Sequence, residues 1–292
     1  MTAAATPRYR NAMSVDVEDY FQVSAMEPYV RRADWDRTPL RVERNTDTVL
    51  QLFSDAGIKA TFFTLGWVAE RCPQLVRRIV DGGHELASHG YQHVRAHQQT
   101  REQFAADIRK TKQLLEDLGG VAITGYRAAS YSITKQNLWA LEELAAAGYR
   151  YSSSIYPVKH DLYGIPDAPR WPFFPSRAPA LLEIPVTTAQ IAGRNVPAGG
   201  GGFFRLFPYA LSKHLIERVN ARDRMSAVFY FHPWEIDPAQ PRPDKLDLRT
   251  RVRHYLNLTR MAPRLKQLLR DFDWGRMDDI FLSQPAPTFD LH

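Results

Sequence analysis

Cysteine is almost missing: Cys72 is the single thiol in 292 residues. That excludes an internal disulfide and a cysteine zinc cage, so any metal must be held by His, Asp or Glu. Cys72 itself reads as a small buried hydrophobe. Long apolar runs are also missing. No stretch approaches the roughly 20 apolar residues that span a bilayer, and the opening MTAAATPRYRN carries no apolar segment after its charges. The expectation is a soluble, cytoplasmic chain with no transmembrane segment. Nor is there a lysine block. The 38 basic residues are interspersed with 32 acidic ones, so the formal charge of +6 describes a solvated surface, and no nucleic-acid partner is expected. What is abundant is core material: 44% hydrophobic and 12% aromatic content predicts one domain over residues 1–292, its core at about 11–285.

The pattern along the chain alternates strand and helix. Ala12 to Val17 reads as a buried strand that breaks into Asp16, Glu18 and Asp19. Asn45 caps an amphipathic helix closed by Gly57, Lys59 to Leu65 is a second strand, Pro73 opens a helix ending at Gly82, and His84 to Ser88 is a third strand. Thr100 with Gln103 forms a capping box, and Thr134 caps a further helix through Ala147. The stretch from Tyr156 to Pro179 is rich in proline and aromatics, and four glycines follow at 199–202. A helix is predicted over Pro208 to Arg222, a late strand from Ser226 to Phe231 ending at His232, and a helical region from Arg249 to Phe272. Such alternation predicts a parallel sheet or barrel with its chemistry at strand C-terminal ends.

Two clusters carry that chemistry. In Gly83 to His93, the imidazoles of His89 and His93 stand four apart directly after a strand, and a helical turn there would converge them on one ion. His84 and His97 read as packing or surface histidines. The run Asp16 to Asp19 places three carboxylates in four residues, a costly arrangement at a buried strand end unless a cation compensates. Alternation puts Asp16 and Glu18 on one face, so one can bind metal while the other takes a proton; if the strand ends at Val17, Asp19 is the ligand instead. The glycine run lacks the Lys-Ser/Thr of a phosphate loop, which excludes a nucleotide site of that type.

In this order the motifs resemble the carbohydrate esterase family 4 polysaccharide deacetylases, the NodB homology domain. The matching residues are Asp16 with Glu18 or Asp19, the pair His89 and His93, Arg127-Ala-Ala-Ser-Tyr131, and Phe229-Tyr-Phe-His232. Asp16 to Phe21, Gly83 to His93 and His232-Pro-Trp-Glu235 are most similar to a bacterial subfamily associated with exopolysaccharide export loci, including holdfast-type glycans. The resemblance implies a distorted (β/α) barrel of about seven parallel strands. It implies a divalent metal, Zn2+ with Co2+ or Ni2+ as alternatives, and hydrolysis of N-acetyl groups on an amino-sugar glycan. Asp16 is then the general base, Arg127 its holder, His232 the acid, and the backbone N–H of Tyr131 an oxyanion donor. Tyr131, Trp234 and Arg205 are expected to touch substrate, with Tyr156 and Trp171 as further stacking surfaces. Two positions depart from the family pattern: Ala129 replaces a proline, and Ser152 replaces the aspartate that tunes the last histidine, a role open to Asp161 or another acid. The alternatives are hydrolysis of a non-sugar amide such as a cyclic ureide, and a catalytically silent glycan-binding protein.

Overall fold

The computed structural model describes residues 9–160, 163–243 and 245–291. Its centre is β1, Arg10–Val17, whose residues alternate between two apolar clusters. Met13, Val15 and Val17 face the large core beneath the helices, while Ala12 joins Phe63, Ala87, Tyr151 and Val228 on the other side of the sheet. The same alternation governs β2 (Thr61–Thr64) and β3 (Glu85–Ser88): Phe62 and Leu86 face the helices, Phe63 and Ala87 the interior. β4 (Gly125–Tyr126) and β5 (Tyr151–Ser152) continue the sheet, followed by Leu182–Glu183. On its other side β1 pairs with Val228–Phe231 and, at its beginning, with Asp273–Gly275. All of these pairings are parallel. Seven strands thus form a path that helices surround, a distorted (β/α) barrel.

Several element boundaries shift for identifiable reasons. The first long helix, α1, covers Val42–Asp55 and so begins before Asn45. Its cap comes from far away in sequence: Asp19 Oδ2 accepts from the backbone N–H of Arg41 at 2.6 Å and of Val42 at 2.9 Å. The Thr100–Gln103 capping box forms as the sequence predicts. The helix after Thr134 starts as a 3-10 turn at Lys135–Asn137 and becomes α-helical at Trp139–Ala146. The late helical region divides into Leu248–Tyr255 and Leu258–Asp271 at Asn257, which takes φ of 53°, while Pro263 stays inside the second piece. Among the described residues no helix is long and apolar enough to cross a membrane.

Candidate metal and proton-transfer site

The C-terminal strand ends converge as barrel geometry requires. Asp16 and Glu18 come from the end of β1, His89 follows β3, Arg127 follows β4, and His232 follows Val228–Phe231. One potential ligand atom from each of Glu18, His89 and His93 lies within 4.8 Å of the others, and all three residues are buried. No helical turn brings the histidines together. The chain bends instead, with φ of +74° at Gly90 and +54° at His93, and Arg32 pins the bend by donating to the carbonyls of Gln92 at 3.1 Å and His93 at 3.2 Å.

These three residues fit a divalent cation. His93 Nδ1 is buried without a hydrogen-bond partner, a costly state that coordination or a further partner would relieve. His93 Nε2 lies 3.0 Å from Glu18 Oε2. His89 Nδ1 lies 2.8 Å from the Arg127 carbonyl; donating its proton there leaves Nε2 as the ligating atom. Burial pushes the Glu18 carboxyl up to about 8 and lowers both His89 and His93. Neutral imidazoles are the form that binds metal. Asp19 is not part of this group: its carboxylate is occupied by the N–H groups of Tyr20, Arg41 and Val42.

Asp16 is held beside the cluster. Arg127 Nη1 donates to Asp16 Oδ1 at 2.6 Å and to Ser14 Oγ at 2.9 Å, Nη2 donates to Ser153 Oγ at 3.1 Å, and Nε to the Ser153 carbonyl at 3.3 Å. The guanidinium is fully buried over the Phe63 ring, 4.0 Å from its centroid. One carboxylate oxygen of Asp16 is therefore fixed by charge-assisted bonding, while Oδ2 faces His232 Nε2 at 3.9 Å. His232 Nε2 also lies 3.2 Å from Glu18 Oε1, and its side chain is 20% exposed against 1% for Glu18 and 3% for Asp16. Among these groups it is the one that solvent reaches.

Glu235 has a place in the His232-Pro-Trp-Glu235 motif, but the sequence reading assigns it no role. Its Oε1 lies 2.8 Å from His232 Nδ1 and its Oε2 accepts from Arg205 Nε at 2.6 Å. Burial lowers the basicity of His232, but Glu18, Glu235 and Asp16 outweigh it and raise the ring to about 9. Burial acts against Glu235 as well, and Arg205 and His232 nevertheless bring it down to about 2. The one available signal was a carboxylate three residues after His232, within a single turn of it.

The expected substrate contacts are corrected accordingly. Arg205 is 3% exposed, and besides Glu235 it donates to the carbonyls of His254 and Leu256 at 2.9 and 2.7 Å. Trp234 is enclosed between the His232 ring, 5.4 Å away, and the His254 ring, 4.2 Å away. Tyr131 is buried among Tyr156, Tyr163 and Tyr230, and its N–H donates to the Ala128 carbonyl at 3.0 Å, so it does not point at an incoming oxyanion in this arrangement. Tyr156 is fully buried in the same cluster. Trp171 is 46% exposed, but it lines a surface pocket with Arg224, Met225 and Ser226, which precede the strand whose far end carries His232. Ser152 Oγ donates to Ser154 Oγ at 2.8 Å and does not serve His232. Asp161 lies outside the described residues. His84 is a packing residue, its Nδ1 accepting from the Ala60 N–H at 3.1 Å, and His97 is exposed.

Residues 34–152 match the polysaccharide deacetylase family model, and residues 153–282 match a domain of unknown function, DUF3473. A peptidoglycan-N-acetylglucosamine deacetylase of Bacillus cereus is 33% identical over 99 residues, 34% of this chain and 36% of that protein. A peptidoglycan deacetylase of Helicobacter pylori is 33% identical over 107 residues, 37% of this chain and 36% of that protein. The chain thus aligns with little more than a third of the length of these relatives. Among solved structures, a candidate polysaccharide deacetylase from Mycobacterium smegmatis superposes with a TM-score of 0.60 at 18% identity, covering 96% of this chain and 91% of that one. A family 4 carbohydrate esterase from Streptomyces lividans in complex with acetate gives 0.50 at 17% identity, over 97% and 100% of the two chains. Residues 34–152 carry a polysaccharide deacetylase domain, and the chain as a whole shares its fold with a family 4 carbohydrate esterase.

Proposed function

We propose that this chain is a metal-dependent N-deacetylase of N-acetylated amino sugars in an exopolysaccharide, adhesin or cell-wall glycan. The observation that carries the reading is the buried Glu18–His89–His93 set lying beside an arginine-held Asp16 and a partly exposed His232. The relatives named as peptidoglycan-N-acetylglucosamine and chitooligosaccharide deacetylases support the substrate class. Glu18, His89 and His93 would hold a divalent ion, Zn2+ by the chemistry of the donor set, with Co2+ or Ni2+ able to replace it. Such an ion, when bound, makes water more acidic and polarises a carbonyl oxygen.

The remaining work falls to the protein. Asp16, oriented by Arg127, takes a proton from the attacking water through Oδ2. The water oxygen bonds to the acetyl carbon. His232 gives its Nε2 proton to the sugar nitrogen as the C–N bond breaks, so acetate and a free amine leave.

The test is acetate release from N-acetylglucosamine oligomers after chelation, then after adding back zinc or cobalt. Release that returns with metal and falls by about 10²–10⁴-fold in Asp16→Asn is expected, with His89→Ala losing bound metal as well. Metal-loaded protein that releases no acetate from any oligomer overturns the reading and leaves a non-sugar amide or simple glycan binding.

A further inference from the structure

His232 needs its ring oriented and its Nδ1 proton held, and Ser152 cannot do either. We propose that Arg205 and Glu235, with the glycine run that makes room for them, form the positioning pair that fixes His232 for proton transfer. The proposal rests on the deacetylase reading and deepens it, assigning a physical role to the segment matched only as a domain of unknown function.

Four observations support it. Glu235 Oε1 accepts both from the His232 backbone N–H at 3.1 Å and at the ring Nδ1 at 2.8 Å, so one carboxylate oxygen fixes main chain and side chain together. Its other oxygen is held by Arg205 at 2.6 Å, and both residues are at most 3% exposed. Arg205 is itself anchored by the carbonyls of His254 and Leu256, so its position does not depend on Glu235 alone. The glycines supply the space. A Cβ at Gly201 would sit 2.3 Å from Glu235 Oε1 and 2.7 Å from Oε2, so Gly201 has no room for a side chain while the carboxylate occupies its place.

With Nδ1–H committed to Glu235, the ring presents Nε2 to Asp16 and Glu18. Outer groups of this kind fix tautomer and orientation, and their loss costs about 10–100-fold in activity at comparable sites. Removing a buried carboxylate partner also leaves Arg205 uncompensated, so folding must be checked in each variant.

The experiment uses the full chain as wild type, Glu235→Gln, Glu235→Asp and Gly201→Ala, each checked by thermal melting and by bound zinc. Two readouts are taken: kcat and KM for acetate release, and the ¹⁵N-histidine NMR signals of His232, assigned with His232→Gln. Glu235→Gln and Gly201→Ala are expected to lower kcat about 10–100-fold with KM within about threefold. Zinc should be retained, and the strongly hydrogen-bonded Nδ1–H signal should be lost or moved. Glu235→Asp should recover part of both readouts. Unchanged kcat and an unchanged Nδ1–H signal in either folded variant overturn the proposal. If Glu235→Gln does not fold, Gly201→Ala and Glu235→Asp decide by the same criteria. If the wild type releases no acetate at all, the deacetylase reading fails, whereas the NMR comparison still decides whether Glu235 holds the ring.

Discussion

Glu18 and Asp19 are neighbours with opposite duties. Glu18 stands in the cluster with two histidines and turns both of its oxygens to imidazole nitrogens; Asp19 spends both of its oxygens on backbone N–H groups. Asp19→Ala should therefore leave zinc binding intact and cost about 2–3 kcal/mol in urea denaturation, the loss of a helix cap and of buried N–H partners. Glu18→Ala should do the reverse, sparing stability and losing metal. If Asp19→Ala lost the metal, the assignment of Glu18 as the ligand would be wrong. Asp16, His89 and His232 were legible in the sequence because they stand at or just past the ends of apolar strands, where a parallel barrel gathers its chemistry, and His93 by its spacing from His89; Arg127 came from the resemblance alone. The choice between Glu18 and Asp19 was not legible, since it turns on a cap contributed to a helix 22 residues further along. Arg205 misled for a similar reason: a cation after a glycine run gives no sign that its partner is a carboxylate 30 residues on.

At the scale of elements, the glycine run at 199–202 is a packing device. A Cβ on Gly199 would lie 2.1 Å from the Val228 carbonyl, and one on Gly200 would lie 2.8 Å from the Tyr230 ring, both on the strand that ends at His232. Gly202 has nothing within 4 Å of a Cβ and sits in the short helix Gly201–Leu206. Gly199→Ala is expected to lower stability by about 1–3 kcal/mol, because a backbone carbonyl cannot turn aside as a side chain can. Gly202→Ala should be neutral or stabilising by up to about 1 kcal/mol. Equal melting temperatures for the two variants would refute this account of the run. Four glycines in a row announced a tight place, but only the sheet register shows what approaches: Gly200 bridges to Tyr230 alongside that strand.

At the scale of the whole molecule, two histidines away from the metal set tie stability to pH. Burial, with Lys59 and Arg276 nearby, lowers His84 to about 4; burial and Arg205 lower His254 to about 3. Both are neutral in the fold, while in the unfolded chain they titrate near their ordinary value of about 6.5. Below that value the unfolded state binds protons that the folded state refuses, so each costs stability as pH falls, by up to about 1.4 kcal/mol per pH unit. Asp19 and Asp107, raised by burial to about 6, act in the opposite sense, so the contribution is best isolated by difference. His84→Asn, whose amide oxygen can take the Ala60 N–H, should gain about 2 kcal/mol on wild type between pH 7.5 and pH 5 in urea titrations. A difference that stays constant across that range would show that His84 is protonated in the fold.

The place of β1 in the sheet has a consequence for biosynthesis. β1 lies between β2, which follows it closely in the chain, and Val228–Phe231, which comes some two hundred residues later. A chain emerging from the ribosome therefore carries Glu18, His89 and His93 long before His232, and until the late strand arrives one long edge of β1 has no neighbour to cover it. An uncovered parallel edge is where nascent chains stick to one another. The demand on folding assistance should accordingly peak late in translation, when the residues proposed to grip a metal have all been made and His232, the proposed acid, has not.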